Sequence, residues 1–244
     1  MMIYGVYFSP TDNSKKYVDY ISHSIEKNAT MIDLTFKEES IILNSDDLMI
    51  VAAPVYAGRI PNVASRRFKN IKGNNTPCIL IATYGNRHYD DALVEMDDLF
   101  SCQGFMTIGA CAVIGRHTYG DIQVDRPNAE DLEMTCNYVK ERISLNIPTR
   151  NIPGNHHEDE IVNKGRFHPE TLEGCIKCMK CVHECPVGAI LDDCSTISDA
   201  CISCFRCIRH CPVSQKTMTE EAYINFATMF TEKLKERREN EYFD

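Results

Sequence analysis

The phrase CIKCMKCVHECP at residues 175–186 returns as CISCFRCIRHCP at residues 201–212. Both copies read C-x2-C-x2-C-x3-C-P, and together they use eight of the thirteen cysteines in this 244-residue chain. Two short loops of matching shape must therefore form side by side, which constrains the fold more tightly than any other stretch. The N-terminus, MMIYGVYFSPTDNSKK, places its apolar run before its lysines and has no small-residue cleavage site, the wrong order for a secretory leader. A cytoplasmic location is expected, and there cysteines stay reduced, so metal binding or burial has to explain their spacing.

The repeat is the spacing used for cubane 4Fe-4S clusters; paired C-x2-C phrases also serve zinc ribbons, but two complete copies favour iron. Residues 170–216 resemble two-cluster ferredoxins, including CPVGAI at 185–190 after the first copy. That resemblance implies crossed ligation, because the fourth cysteine of each copy reaches the other cluster. Cys175, Cys178, Cys181 and Cys211 would hold cluster 1, and Cys201, Cys204, Cys207 and Cys185 would hold cluster 2. The remaining cysteines, Cys78, Cys102, Cys111, Cys136 and Cys194, lie outside the spacing; Cys78 and Cys111 sit in apolar runs, where buried inert thiols are expected.

Ahead of the repeat, residues 3–8, 29–34, 47–55, 77–85 and 107–115 are short apolar runs rich in β-branched residues, the pattern of strands covered on both faces. Between the first two, Tyr17, Val18, Ile21 and Ile25 share one helical stripe, and Leu132, Cys136, Val139 and Ile143 do so after the fifth. Alternation of this kind predicts a doubly wound, five-stranded parallel sheet whose ligand site lies outside the carboxyl ends of the strands. No Walker loop or G-x-G-x-x-G motif is present to hold a nucleoside triphosphate or a nicotinamide.

Three loops at that edge read SPTDNS (9–14), PVYAGRIP (54–61) and TYGNRHYDDAL (83–93). In order and spacing over residues 1–146 they resemble the flavin mononucleotide (FMN) loops of flavodoxins. The resemblance implies that Ser9, Thr11, Asn13 and Ser14, with the backbone of Asp12, grip the FMN phosphate. Pro54, Val55, Tyr56, Ala57 and Gly58 would hold one edge of the flavin ring, and Thr83, Tyr84, Gly85, Asn86 and Tyr89 the other. Tyr56, Tyr84 or Tyr89 would stack on it. Asp12 departs from the glycine usual there, and a carboxylate beside a phosphate is repulsive; an outward-pointing side chain, with Lys15 and Lys16 nearby, would offset this. The loop 114–121 carries Arg116, His117 and Tyr119, either solvated or meeting the ferredoxin-like part or a substrate.

Residues 147–169, with three prolines and two glycines, read as a surface linker on which His156, His157, Glu158 and Asp159 are solvated. From 217 to 244 a C-terminal helix is expected, with Ala222, Phe226, Met229, Phe230 and Leu234 on its apolar face. The predicted organisation is thus a flavodoxin-like domain (1–146), a linker (147–169), a small α+β ferredoxin-like domain (170–216) and the tail. A net charge of −9 argues against nucleic-acid partners, and no apolar run is long enough to cross a bilayer. As a whole the chain resembles flavodoxin-ferredoxin fusions, the EFR-type ferredoxins and iron-sulfur flavoproteins. That likeness implies an oxidoreductase passing electrons between two 4Fe-4S clusters and FMN, with an unknown small-molecule acceptor; the alternative is a non-catalytic carrier between redox protein partners. A homo-oligomer is compatible with either.

Overall fold

The computed structural model describes residues 2–159 and 165–244, so part of the expected linker, 160–164, lies outside the described residues. The chain runs β1 (Ile3–Tyr7), α1 (Asn13–Ile25), β2 (Thr30–Asp33), β3 (Ile41–Ile42), β4 (Leu48–Pro54), α2 (Asn62–Phe68), β5 (Ile71–Lys72), β6 (Thr76–Tyr84), α3 (Ala92–Ser101), β7 (Phe105–Ile114) and α4 (Ala129–Leu145). It continues through β8 (Glu170–Thr171), α5 (Lys180–His183), α6 (Arg206–Arg209), β9 (Lys216–Thr217), α7 (Glu221–Lys233) and β10 (Glu241–Phe243).

The five long apolar runs form parallel strands in the order β7-β6-β4-β1-β2, the flavodoxin-like winding. Both faces of this sheet are covered, which is why its strands are continuously apolar: Val6, Met49, Val51 and Leu80 pack on one side, Ile50, Ile79, Ile81 and Val113 on the other. The stripes read from sequence turn inward, with Tyr17, Val18 and Ile21 of α1 wholly buried beside Cys136 and Val139 of α4. Cys78 and Cys111 are buried core thiols, and burial raises the pKa of both.

Strand order reverses between β1 and β4, and their carboxyl ends with that of β6 carry the three loops singled out above. A sixth strand, absent from the sequence reading, closes one sheet edge: β10 pairs antiparallel with β7, Tyr242 opposite Cys111. It is held by Arg126, which is almost fully buried, grips Asp131 through two nitrogens and donates to the carbonyl of Arg238 at 2.6 Å. Asp131 also completes the capping box of α4 with Asn128.

In the cysteine segment the two copies fold alike. Met179 and Phe205, each following the second cysteine of its copy, adopt left-handed backbone (φ 61 and 59) and open four-residue helices, α5 and α6. The antiparallel pair β8–β9 closes the segment. Helix α7 packs through the expected Phe226 and Phe230 together with Tyr223 and Ala227, while Ala222 and Met229, also expected inside, are exposed, Met229 by 58%. This shift of the face toward Tyr223 follows an aromatic cluster in which Tyr119, Phe167, Phe205, Tyr223 and Phe226 meet largely edge to face. The linker histidines are also partnered: His156 contacts Asp98 at 2.8 Å and His157 contacts Asp91 at 2.7 Å, docking the chain on α3.

Candidate functional site

Two adjoining cavities lie at the carboxyl ends of β1, β4 and β6. The smaller, ≈ 400 Å³, is lined by Ser9, Thr11, Asn13, Ser14, Arg116 and the β4 and β6 loops. The larger, ≈ 990 Å³, runs past Ala57, Gly58, Arg87 and His88 to Arg166, Phe226 and Phe230. Val55, Tyr56, Tyr84, Gly85, His117 and Thr118 line both. The three loops picked from sequence therefore converge on one continuous hollow.

Its narrow end is shaped by α1. Asp12 caps that helix in left-handed backbone (φ 65) and uses no side-chain cap bond; the Lys16 amide bonds to its carbonyl, while Asn13 and Ser14, whose amides have no intrahelical partner, line the hollow. The Ser9 hydroxyl accepts from the Lys15 amide at 3.0 Å, Ser14 is hydrogen-bonded to Thr83, and Asn13 donates to the Arg116 carbonyl at 2.8 Å. These bonds fix the loop between β1 and α1 against β6 and β7. The Nε of Arg116 is buried without a hydrogen-bond partner at this same end. The Asn13 and Ser14 amides, the Thr11 hydroxyl and an unsatisfied guanidinium N–H suit a phosphate, so the residues present fit that group.

At the wide end, glycine is required at position 85 because a Cβ there would run into the His117 ring. His117 packs edge-on to Phe230, and its Nδ1 accepts from the Tyr119 amide at 2.8 Å. Burial lowers its pKa to about 4, so the ring is neutral. Burial, and next the nearby Cys204 thiol, raise the Tyr56 pKa well above its ordinary value. Of the three tyrosines expected to stack on a ring, Tyr56 and Tyr84 line the hollow. Tyr89 lies behind it, stacked on His88, with its hydroxyl donating to Glu241 at 3.0 Å. Asn86 also turns away, donating to the carbonyls of Leu234 and Glu236 at 2.8 and 2.6 Å and holding the C-terminal segment over the ring loops. The loop 114–121 meets the cysteine segment: Arg209 donates to the His117 carbonyl at 2.5 Å, and Tyr119 enters the aromatic cluster.

The cysteines correct a central expectation. Cys185 of the first copy lies near Cys201, Cys204 and Cys207 of the second, raising their pKa values, though burial is the larger cause in each. Cys181 is instead coupled to Cys194 and Cys175. The Lys216 ammonium is buried beside Cys181, Cys201 and Cys207 without a hydrogen-bond partner. Yet among the described residues no group of three or more His, Cys, Asp or Glu side chains is arranged to hold a metal ion. The sulfurs of Cys185, Cys201 and Cys211 accept from amides of their own turns, at 3.2, 3.4 and 3.2 Å, and the Cys194 thiol donates to Met179. Two 4Fe-4S clusters, the iron-sulfur oxidoreductase built on them and the conduit from cluster to flavin are therefore not supported by this geometry. The spacing sets which thiols are neighbours; convergence of four sulfurs on one centre depends on side-chain directions that spacing does not specify.

Sequence reasoning missed Arg206, which ties the phosphate-facing loop to the cysteine segment by donating to the Pro10 carbonyl at 2.7 Å. It also misplaced the partners of Asp12. Lys15 pairs with Asp19, while the Asp12 carboxylate lies 3.6 Å from Arg206 and 3.2 Å from His210. The only local signal for this was a cationic residue at equivalent places in the two copies, Lys180 and Arg206.

Residues 171–191 match the 4Fe-4S binding domain, a likeness of sequence. No curated protein matches the chain significantly. Solved structures of similar fold include oxidised flavodoxin 1 from Bacillus cereus, at 15% identity over 59% of this chain and 98% of that one, TM-score 0.43. A flavodoxin from Streptococcus pneumoniae TIGR4 is similar at 14% identity over 60% and 100%, TM-score 0.41. An azoreductase from Bacillus anthracis is similar at 11% identity over 59% and 98%, TM-score 0.36. The flavodoxin-like character of the sheet rests on its strand order, and the 4Fe-4S-type sequence motif on residues 171–191.

Proposed function

We propose that this protein is a flavodoxin-like electron carrier that binds FMN and exchanges electrons with protein partners. The observation that carries the reading is the continuous hollow from the 9–14 loop to the two ring loops, at the strand ends where this winding places a ligand. When bound, the flavin supplies the redox chemistry, since it takes up two electrons and releases them singly. The chain's own residues do the rest. The α1 amides, Thr11 and Arg116 hold the phosphate end; Tyr56 and Tyr84 flank the ring; neutral His117, pressed on Gly85 and Phe230, keeps water from one side.

In this reading residues 1–146 are the FMN-binding unit, and the cysteine segment and α7 cover it. Its sequence organisation is that of a flavodoxin-ferredoxin fusion of the EFR type. Among the described residues no helix is long and apolar enough to cross a membrane. The net charge of −9 favours partners with basic or neutral docking faces, and a cytoplasmic setting suits thirteen cysteines with no disulfide among those described.

The test is to load the purified chain with FMN, photoreduce it without oxygen, and mix it with ferricytochrome c or with a panel of small oxidants such as quinones and azo dyes. A carrier reduces the protein acceptor rapidly and shows no saturable turnover of the small molecules. Saturable turnover of one of them would move the reading to an enzyme, and a chain that takes up no FMN would remove it.

A further inference from the structure

We infer that Arg206, contributed by the second cysteine repeat, is the counter-charge that makes the 9–14 loop competent for a phosphate dianion; this rests on the FMN reading above. Asp12 sits between Thr11 and Asn13, which line the narrow cavity, so an uncompensated carboxylate there would oppose a dianion. Its Oδ1 is 3.6 Å from Nη1 of Arg206, and its Oδ2 is 3.2 Å from Nε2 of His210. The same Nη1 donates to the Pro10 carbonyl at 2.7 Å, while Nε and Nη2 grip Glu184 at 3.1 and 2.8 Å. Lys180 adds a second cation 3.9 Å from Glu184.

The Arg206 side chain is only 10% exposed, so solvent screens its charge weakly and its fork has one geometry. Two groups that repel phosphate, the Pro10 carbonyl dipole and the Asp12 carboxylate, are thereby drawn toward the cysteine segment. Arg206 is a positioning residue: it acts on the loop, not on the ligand. Phosphate recognition then depends on a side chain 196 residues beyond Pro10, which gives the cysteine segment a role in the flavin site.

The experiment is a double-substitution cycle read with two probes, FMN and riboflavin, which differ only in the phosphate. Affinities come from flavin fluorescence quenching on the native chain, Asp12→Gly, Arg206→Met and the double variant, each checked for fold by far-ultraviolet circular dichroism. Glycine suits the positive φ at position 12, so Asp12→Gly removes the carboxylate without backbone strain. Arg206→Met is expected to weaken FMN roughly tenfold and riboflavin less than about twofold. Asp12→Gly should strengthen FMN binding at least about fivefold more in the Arg206→Met background than in the native one. Independent effects on FMN, or an equal loss of riboflavin, would overturn the inference and leave Arg206 a structural clamp. Should Arg206→Met not fold, Arg206→Lys, which keeps the charge but not the fork, enters the same cycle with a coupling of about threefold expected, and additivity again overturns it. A native chain that binds FMN no more tightly than riboflavin would instead remove the FMN reading itself.

Discussion

Within the parallel sheet, Val6, Ile50, Val51, Leu80 and Ile81 are wholly buried between helical layers, whereas residues 165–217 fully bury few apolar side chains, among them Phe167, Ala189, Ile190 and Phe205. The sheet is held by apolar area. The cysteine segment is held to it by arginines: Arg206 on Pro10, Arg209 on His117, and Arg67 donating to the Pro186 carbonyl at 2.8 Å. A segment that buries so few apolar side chains takes order from the surface it covers. The two regions should accordingly fail differently, the sheet as a cooperative unit and the segment by local release.

The sharpest exception to an apolar sheet is the buried Arg126–Asp131 pair, which also anchors the strap before β10. Arg126→Met strands a buried carboxylate and should cost about 3–5 kcal/mol of global stability, seen as a lower urea midpoint. A loss confined to the strap would break the comparison by showing that this edge is separate from the sheet. Phe205→Ala, in the segment, should lower local opening free energy by about 3–5 kcal/mol. Hydrogen exchange should then quicken across 165–217 while the strands keep their protection; uniform loss would mean that the two regions are one cooperative unit.

A smaller effect joins them. The His117 ring takes up a proton at about pH 4 in the folded chain, against an ordinary value of 6.5. Between those values the unfolded chain binds the extra proton, so stability is highest above pH 6.5 and declines toward pH 4, by at most about 3 kcal/mol. His117→Asn should flatten this slope in urea titrations at pH 7 and pH 5. The smallest signal is chemical: Cys178 is exposed and Cys204 buried, so maleimide should modify Cys178 well before Cys204 in the native chain. A protected Cys178 accompanied by bound iron would reinstate the sulfur cages that the geometry argues against.

The parts of this molecule that could be read from sequence are those set by local repetition. Apolar runs mark the strands because strands covered on both faces have no other composition, and Tyr17, Val18 and Ile21 mark the inner face of α1 by their spacing. What escaped depends on distant pairing. The residues of β10 match a short tail as well as a strand, and only β7 opposite makes them one. The face of α7 is chosen by Tyr119 and Phe167 from other elements, and the partner of Asp12 lies in another part of the chain. The three flavin-type loops were legible as short phrases. Their convergence on one hollow came from the winding order, while the turning away of Asn86 and Tyr89 came from the C-terminal strap, which the sequence reading took for helix alone.

The most direct measurement of the central claim is flavin stoichiometry after gel filtration with excess FMN, compared between the native chain and Thr11→Asp. About one FMN per native chain is expected, with near-complete loss in the variant, where the new carboxylate faces the phosphate end, and an unchanged circular dichroism spectrum. Equal flavin in both proteins would contradict the placement of the phosphate on the 9–14 loop, and no retained flavin in either would contradict the carrier itself.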